Sequence, residues 1–574
     1  MANGTINERV NALRDYLRRN GISAFIFPST DPHQGEYVPA HWQTRQWISG
    51  FDGSAGTAVV TLSDAALWTD SRYFIAAAKQ LEGTPFLLMK DGLPETPSIT
   101  TWLIDKMVNG QWSMVNDKVV GIDGDVFTEA DIKEMEAAFG KAGIKLRTDL
   151  DPAEELWTDR PPIPKNKVEI QPLEFAGETA ESKIERVRQA LREQDADSIV
   201  ISQLDEIAWL LNLRGTDVHC NPVFVSYVLL TLDDVTLFID SEKLDETTSS
   251  YLQSIGVRIR PYSKPSLESE ASNPIPMMKS VKNEAEIEGF RRAMIRDGVA
   301  MVKFLRWLKP AVEAGGETEL SIDRKLTALR AEQELYRGLS FDTIAAYGHH
   351  GAIVHYEATP ESDIVLEPKG LLLLDSGAQY QDGTTDITRT IPLGPLTDEE
   401  RLDYTLVLKG HIRLALTRFP DGISGTRLDA LARYAMWQHG IDYGHGTGHG
   451  VGSYLCVHEG PHQIRHTWKP APLHAGMTVT NEPGIYREGK HGVRIENTML
   501  IVEDGETEFG KFLRLEPLTL CPIDLSPVIW DMMTQEETDY INNYHKKVYE
   551  VLSPFLNNEE RQWLKVSSVA IPSQ

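Results

Sequence analysis

Acidic and histidine side chains collect at predicted strand ends and in glycine-rich turns between residues 355 and 496. The segment "GLLLLDSGAQYQDGTTDITRT" is typical of a buried strand that ends in Asp375, a turn, and a second strand that begins at Asp386. The apolar run before Asp375 places this carboxylate near the core, where an unpaired charge is costly, so we expect it to meet a cation. For Asp375 taken alone, a turn aspartate that caps "DSG" is an equally good interpretation, and Asp382 beside Gly383 fits a turn better than a metal site.

Two further carboxylates occupy similar positions. Glu482 follows a predicted strand in "MTVTNEPGIY", where Pro483 and Gly484 restrict the turn. In "HGVRIENTMLIV" the alternation of a strand puts Arg494 and Glu496 on one polar face. For this pair alone, an ordinary surface ion pair is the more common interpretation.

The segment "YGHGTGHGVG" holds two histidines four residues apart among glycines. Glycine at every second position does not suit a helix, so a zinc-binding helix is not expected. In an extended chain His445, Thr447 and His449 point the same way, and the glycines allow another backbone or a ligand to approach closely. A single histidine here is more often structural, but His458 and His462 follow in "CVHEGPH", which favours a functional cluster.

Together, Asp375, Asp386, Glu482, Glu496 and one or two histidines form a candidate metal-binding set. Four carboxylates in one site repel one another strongly, and two divalent cations would cancel their charge. An oxygen-rich site with one imidazole suits Mn²⁺, Fe²⁺, Co²⁺ or Zn²⁺. Two metal ions bridged by carboxylates can share a hydroxide and polarise a carbonyl, so the predicted chemistry is hydrolysis.

The composition fits a soluble globular protein with several domains. The chain has 574 residues, of which 41% are hydrophobic and 25% charged, and this length predicts about three domains. The net charge of −27 argues against a nucleic-acid partner or an anionic membrane surface. Cys220, Cys456 and Cys521 are too few and too scattered for a disulfide framework. No secretory signal or membrane-spanning run is recognisable, so a cytoplasmic location is expected.

The elements that must position these residues begin with a sequence repeat. The segments "ERVNALRDYLRRNGISAFIFPSTD" and "ERVRQALREQDADSIVISQLDEIAWLLNLRG" both predict a helix followed by an apolar strand and a turn. Helices that alternate with strands predict two related α/β domains, which we name domain I (1–160) and domain II (161–280). Domain II is predicted to be shortened by about one helix–strand–helix unit relative to domain I.

A third unit, the catalytic domain (281–510), is expected to begin with a helix. Asn283 and Glu286 have the spacing of a capping box, and the helix is predicted to run to about Trp307, before Pro310. Strand and turn signals then dominate to residue 502, with helices expected near 398–418 and 424–440.

The remaining segment, the C-terminal extension (511–574), is predicted to hold a helix from Thr534 to Ser553. Its aromatic residues either form a dimer contact or pack on the catalytic domain, and the sequence leaves both interpretations open. These residues are Trp530, Tyr540, Tyr544 and Trp563.

The order of these acids and histidines resembles the pita-bread metallopeptidases, which include methionine aminopeptidase, prolidase, creatinase and aminopeptidase P. "HYEA", "GHGTGHGVGSYLCVHEGP", "NEPGIY" and "GVRIEN" are similar to motifs of the X-prolyl aminopeptidases. "FDGSAGTAVVT" and "LWTDSRYF" near the N-terminus also resemble that subgroup. The resemblance implies an α/β (α+β) fold, with two creatinase-type N-terminal domains followed by a pita-bread catalytic domain.

The resemblance also implies two divalent metal ions per subunit, with Mn²⁺ as the expected metal. Asp386 and Glu496 would bridge the two ions. The implied ligands are Asp375, Asp386, His449, Glu482 and Glu496.

The implied reaction is hydrolysis of the bond between the first residue of a peptide and a proline at position two, through a metal-bridging hydroxide. His355 and His458 would contact the substrate and stabilise the intermediate, and Glu482 would act as general base. His445 would line the proline pocket. The implied substrate contacts are Arg72, His355, His445, His458 and Arg494.

Two other functions remain to be weighed against this one. A prolidase would cleave X-Pro dipeptides, but prolidases typically lack the duplicated N-terminal domain. A non-catalytic peptide-binding module on the same fold would be expected to have lost metal ligands, which this sequence retains. A homodimer is the expected assembly by resemblance.

Overall fold

We describe the protein from a computed structural model that covers residues 3–109, 118–266 and 271–570. Three mixed helix–strand units follow one another along the chain, and a helical segment ends it. Within the described residues, no helix combines the length and apolar character needed to cross a membrane.

Domain I is a six-stranded sheet covered by helices. Its first helix forms because Val10, Leu13 and Leu17 recur with helical spacing and pack into the domain core. The strands are β1 (Ala24–Phe27), β2 (Thr57–Thr61), β3 (Ala65–Thr69), β4 (Phe86–Lys90), β5 (Val119–Ile122) and β6 (Lys145–Arg147), in the spatial order β4-β3-β2-β1-β5-β6. The helices are α1 (Asn3–Arg19), α2 (Thr44–Ser49), α3 (Phe74–Gln80), α4 (Ile99–Ile104), α5 (Glu129–Lys141) and α6 (Pro152–Leu156).

Domain II repeats part of this plan. Its strands are β7 (Glu169–Ile170), β8 (Ser198–Ile201), β9 (Leu213–Arg214), β10 (Tyr227–Thr231), β11 (Val235–Phe238) and β12 (Val257–Arg260). Its helices are α7 (Leu173–Ala176), α8 (Ala180–Glu193), α9 (Leu204–Leu210), α10 (Glu246–Ser254) and α11 (Ile275–Ser280).

The sheets of the two domains correspond strand by strand. The order β12-β11-β10-β8 matches β4-β3-β2-β1, and the pairings have the same sense: two antiparallel, then one parallel. Among the described residues, nothing in the domain II sheet corresponds to β5 and β6. In the described residues, the domain II sheet is therefore shorter than the domain I sheet by two strands on one side, where the sequence predicted the absence of about one helix–strand–helix unit.

The catalytic domain has four helices and a set of small antiparallel sheets. The helices are α12 (Glu284–Ala314), α13 (Glu319–Ala331), α14 (Asp398–Ala415) and α15 (Thr426–Trp437). The strands up to residue 420 are β13 (Tyr336–Leu339), β14 (Ile344–Tyr347), β15 (Leu371–Ser376), β16 (Ala378–Tyr380), β17 (Gly383–Thr384), β18 (Ile387–Pro392) and β19 (Arg418–Pro420). The later strands are β20 (Gly448–Gly450), β21 (Glu459–Ile464), β22 (Thr478–Asn481), β23 (Gly484–Arg487), β24 (His491–Arg494), β25 (Asn497–Thr507) and β26 (Gly510–Pro517).

Helix α12 begins as expected and ends later than expected. Asn283 and Glu286 form the predicted capping box. The predicted end before Pro310 is wrong, because the helix continues through this proline to Ala314. A proline in the last turns removes one backbone hydrogen bond, and the long buried face of α12 outweighs that loss.

The C-terminal extension packs against the catalytic domain. Helix α16 (Gln535–Leu552) is capped by Thr534 and Glu537, as predicted, and α17 (Asn558–Ser567) follows. The hydroxyl of Tyr544 accepts a hydrogen bond of 3.0 Å from Arg389 Nη2 in the core. Tyr540, Trp530 and Trp563 also pack on this apolar core and are half-buried, which supports the packing interpretation, and a dimer contact through this segment stays a prediction.

Candidate active site

A cleft of about 1140 Å³ lies where domains I and II meet the catalytic domain. Of the residues predicted to act, only Arg494 does not line the cleft, and it lies directly behind Asp375. The residues on the lining are Arg72, His355, Asp375, Asp386, His445, His449, His458, Glu482 and Glu496.

Asp375 and Asp386 lie on neighbouring strands. Asp375 is on β15, the central strand of the sheet β14-β15-β18, directly opposite Thr388. Asp386 comes immediately before β18, and both carboxylates are buried. The alternative that Asp375 caps a turn is wrong, because it is part of a paired strand. Asp382 instead binds Arg292 and Arg296 of α12, which is a structural role.

Glu482 and Glu496 enter the cleft from the second half of the domain. Glu482 follows β22, and its backbone N–H donates to Thr447 O at 2.8 Å. Glu496 lies between β24 and β25, where the Thr388 hydroxyl donates to its carboxylate at 2.7 Å. Arg494 and Glu496 are almost completely buried, so the interpretation as a surface ion pair is wrong. The Arg494 guanidinium binds Asp375 at 2.6 Å.

The glycines around His449 allow β20 to lie directly on β22. A Cβ atom at Gly448 would lie 1.9 Å from the Thr480 carbonyl oxygen, so only glycine fits this position. The close approach brings His449 Nε2 to 3.4 Å from Glu482 Oε1 and 3.5 Å from Asp386 Oδ2. The glycine beside His449 therefore allows the close packing of the two backbones and, through it, the placement of the His449 side chain.

The prediction that His445, Thr447 and His449 share one face is only partly correct. Both histidines line the cleft, but the Thr447 hydroxyl donates to buried Asp429 at 2.6 Å. The extended strand β20 begins at Gly448, so the alternation does not reach back to Thr447.

The carboxylates form a cluster that needs positive charge. Burial and the neighbouring acids raise the pKa of Asp386 and of Glu496 well above the usual range, and burial raises the pKa of Glu482 to about 7. Asp375 Oδ1 is buried and has no hydrogen-bond partner among the described residues. An orphaned carboxylate oxygen beside mutually repelling acids is the environment expected where cations bind.

His449 has the neutral imidazole that a metal ligand requires. Burial, with a smaller contribution from His458, lowers its pKa to about 3, so the imidazole is neutral. Its Nδ1 lies 2.8 Å from Gly450 O, which leaves Nε2 free to face the acids. One ligand atom each from Asp386, His449 and Glu496 lie within 4.8 Å of one another. These residues, together with Asp375 and Glu482, therefore fit a site for two divalent cations.

Domain I contacts two further histidines of the cleft, His355 and His458. Tyr73 OH lies 2.9 Å from His355 Nδ1, and Glu36 Oε2 accepts a hydrogen bond of 2.8 Å from His458 Nδ1. Glu36 also binds Arg72 at 3.1 Å. Burial favours a protonated Glu36, but the charges of His458 and Arg72 outweigh it and hold the pKa of Glu36 well below its usual range.

His445 lies in a cluster with the aromatic rings of Tyr443 and Tyr486. Its Nε2 lies 2.7 Å from Tyr486 OH, and its ring centroid is 4.8 Å from that of Tyr443. Arg494 donates a second hydrogen bond of 2.8 Å to Tyr486 OH. Tyr486 therefore connects His445 to Asp375 through Arg494.

Three residues that the sequence analysis did not select belong to this site: Glu36, Tyr73 and Tyr486. Tyr73 follows Arg72 in "TDSRYF" and Tyr486 ends "NEPGIY", so both lie inside motifs that were already recognised. Glu36 lies in a loop with no local signal of chemistry, and only the fold brings it to His458.

The fold and site define a metallopeptidase with duplicated creatinase-type N-terminal domains. Residues 288–503 match the model of metallopeptidase family M24, and 511–571 match the C-terminal region of peptidase M24. Residues 9–153 and 159–271 match two models of the creatinase/prolidase N-terminal domain.

Relatives that match over nearly the whole chain identify the subgroup within this family. Aminopeptidase P1 of Arabidopsis thaliana is 37% identical, over 98% of this chain and 98% of that protein. Xaa-Pro aminopeptidase 1 of Dictyostelium discoideum is 39% identical, over 98% of this chain and 96% of that protein. The chain therefore belongs to the Xaa-Pro aminopeptidases of family M24.

A solved structure agrees with this assignment. X-prolyl aminopeptidase of Caenorhabditis elegans, described as a cytosolic enzyme with a di-nuclear active site, superposes with a TM-score of 0.94 at 35% identity. The match covers 99% of this chain and 100% of that one.

Proposed function

We propose that this protein releases the N-terminal residue of peptides whose second residue is proline. The observation that carries the proposal is the convergence of four carboxylates and His449 on one cleft, in a chain related over its full length to Xaa-Pro aminopeptidases. The hydrolytic class follows from the site, and the preference for proline follows from the family.

We assign the metal-binding role to Asp375, Asp386, His449, Glu482 and Glu496, which would together hold two divalent cations. When bound, the two cations supply Lewis-acid polarisation of the scissile carbonyl and an activated water nucleophile. The oxygen-rich donor set suits Mn²⁺, which we propose as the native metal. Arg494 holds Asp375 by a 2.6 Å contact and therefore positions this ligand.

Glu482 is the proposed general base. Burial raises the pKa of Glu482 to about 7 in the metal-free protein, and bound cations would keep the carboxylate ionised and able to accept a proton. The carboxylate can take a proton from the nucleophile and pass it to the imino nitrogen of the departing proline. The 3.4 Å contact with His449 holds it at the centre of the cluster.

His355 is placed to stabilise the developing oxyanion. Burial and the nearby Arg72 lower the pKa of His355 well below the usual range, so the ring is neutral. The contact of 2.9 Å between the Tyr73 hydroxyl and Nδ1 fixes the orientation of the ring and leaves Nε2 available to contact the substrate.

His458 and Arg72 are proposed to contact the peptide on the side of domain I. Both bind Glu36, which fixes their orientation before substrate arrives. His445 lines the cleft, with the rings of Tyr443 and Tyr486 behind it, and is proposed to contact the ring of the proline residue.

A comparison of a dipeptide with a tripeptide tests the reaction. The Mn²⁺-loaded protein is expected to release the first residue from X-Pro-Y and to cleave X-Pro much more slowly. Preferential cleavage of X-Pro would instead identify a prolidase. No hydrolysis of either peptide by fully metallated protein would favour a non-catalytic peptide-binding module.

We also propose a cytoplasmic homodimer as the working state. Among the described residues of the C-terminal extension, the large apolar side chains that are exposed are those of Phe555, Val566 and Val569, so we propose that an interface through this segment includes them. Sedimentation analysis of the protein and of a Val566→Asp variant tests this assignment. A dimer that is unchanged in the variant would place the interface elsewhere.

A further inference from the structure

A second cluster of metal-ligand side chains lies at the mouth of the cleft. His219 and Cys220 belong to the domain II loop between β9 and β10, and Asp342 follows β13 of the catalytic domain. One ligand atom from each of these residues lies within 4.8 Å of the others, and His219 Nε2 is 2.8 Å from Asp342 Oδ1. The cluster therefore bridges two domains.

The loop that carries these residues is held in place from both ends. At its base, Asp217 pairs with buried Lys243, and its carboxylate accepts a hydrogen bond of 2.7 Å from Val225 N–H. At its tip, the Cys220 carbonyl accepts a hydrogen bond of 3.2 Å from Gln379 of the catalytic domain. Cys220 also has a φ of +60°, a conformation that non-glycine residues adopt only when their surroundings enforce it. The thiol is thus placed beside Asp342 by the fold.

The donor set differs from that of the catalytic centre. A thiolate, an imidazole and a carboxylate suit Zn²⁺ or a softer ion such as Cd²⁺, whereas Mn²⁺ prefers an oxygen-rich set. Three protein ligands leave one tetrahedral position for water. The side chain of His219 is 76% exposed, so an ion can enter from solvent.

We propose that His219, Cys220 and Asp342 form a binding site for one Zn²⁺-class cation, separate from the dinuclear centre. The three residues line the same cleft as the catalytic acids. A bound ion would tie the domain II loop to the catalytic domain across the cleft entrance. We therefore infer that excess Zn²⁺ slows turnover by restricting peptide entry, and this second statement rests on the proposed peptidase function.

A cadmium titration of the Mn²⁺-loaded protein tests binding without using the peptidase activity. Cd²⁺ bound to a thiolate gives an ultraviolet charge-transfer band, and no cysteine was assigned to the dinuclear centre. The wild type is expected to show this band with one Cd²⁺ per chain, and Cys220→Ser to lose it. Apparent affinity should fall about 10-fold or more in His219→Ala and in Asp342→Asn.

The buried thiol of Cys521 provides the control. Cys521→Ser makes the same chemical change and should leave the cadmium band unchanged. Absence of the band in the wild type, or its persistence in Cys220→Ser, would overturn the site. Wild-type affinity in both His219→Ala and Asp342→Asn would also overturn it, since Cys220 would then bind alone.

Turnover of X-Pro-Y peptides tests the effect on substrate entry. Zn²⁺ should inhibit the Mn²⁺-loaded wild type at concentrations at least about 5-fold lower than those needed for Cys220→Ser. Basal turnover of Cys220→Ser without added Zn²⁺ should match the wild type. Equal inhibition of both proteins would overturn the inference about entry, and a failure of the cadmium arm alone would leave the peptidase proposal intact.

Discussion

Domains I and II share one four-stranded arrangement, but they contact the catalytic domain in different ways. Domain I reaches the side chains of the cleft, because Glu36 binds His458 and Tyr73 binds His355. Domain II contacts backbone beside the cleft: Arg214 donates to Ser453 O and Tyr454 O, and Gln171 donates to Gln381 O. Its side-chain pairs with the catalytic domain, such as Lys279–Glu459 and His219–Asp342, involve none of the proposed catalytic residues. A duplicated fold has thus been used once to orient catalytic groups and once to support the loops around them.

The largest effect is expected from Glu36→Gln in domain I. This change keeps the shape of the side chain but removes the charge that orients both His458 and Arg72. We expect kcat/KM for an X-Pro-Y peptide to fall about 100-fold, the upper range for loss of an orienting contact. Steady-state kinetics at saturating Mn²⁺ measures this loss. Activity within about 3-fold of the wild type would show that the contacts of Glu36 are not needed for the reaction.

A smaller loss is expected from Tyr73→Phe. The variant keeps the ring but removes the hydroxyl that lies 2.9 Å from His355 Nδ1. Since the His355 ring is then less firmly oriented, kcat should fall about 10-fold with little change in KM. Tyr37→Phe is a matched control, because Tyr37 OH makes only a 3.5 Å contact with His458. Equal losses in the two variants would argue against a role of Tyr73 in orienting His355.

A substitution in domain II should lower the stability of the protein more than its activity. Arg214→Lys keeps the buried charge but cannot reproduce the contacts of the guanidinium with Ser453 O and Tyr454 O. We expect a loss of about 2 kcal/mol in stability and a turnover within about 3-fold of the wild type. Thermal unfolding and kinetics on the same sample measure both quantities. A loss of activity as large as that of Glu36→Gln would erase the contrast between the domains.

The smallest effect is expected on the pH dependence of stability. It reports on the catalytic domain, because this domain carries the four proposed metal-binding carboxylates and the two N-terminal domains carry none of them. Burial raises the pKa of Glu482 to about 7 and the pKa of Asp386 well above its usual value, so these carboxyls bind more protons in the metal-free folded state than in the unfolded chain. Their contribution to stability should therefore fall as pH rises from 5 to 8, whereas the buried histidines with lowered pKa, among them His449 and His355, contribute stability that grows over the same interval.

Bound cations should reverse the contribution of these carboxyls, because they bind the ionised carboxylates and release protons. The difference in Tm between Mn²⁺-loaded and metal-free protein should grow with pH over the same interval. A difference in Tm that stays constant or shrinks as pH rises would contradict the proposed acid cluster.

The sequence predicts the parts of the site that lie in recognisable local patterns. Asp375 follows a buried apolar run, and Glu482 and Glu496 follow alternating strands, so their placement at strand ends could be inferred. The duplication and the shortened domain II could be inferred as well, because helix and strand periodicity repeats along the chain.

Contacts between distant segments could not be predicted in this way. Glu36 meets His458 across 422 positions of the chain, and neither local periodicity nor composition encodes that contact. The continuation of α12 through Pro310 depends on its buried face, and the turning of Thr447 toward Asp429 depends on where β20 begins. Tertiary packing decides each of these cases.

The most direct test of the account measures metal content and turnover together in the wild type, His449→Ala and Glu36→Gln. The account predicts that the wild type holds two metal ions per chain and hydrolyses X-Pro-Y. His449→Ala should lose metal and activity together, whereas Glu36→Gln should keep both ions and lose about 100-fold in kcat/KM. Loss of metal in Glu36→Gln, or full activity in His449→Ala, would contradict the division between groups that hold the metal ions and groups that orient the histidines.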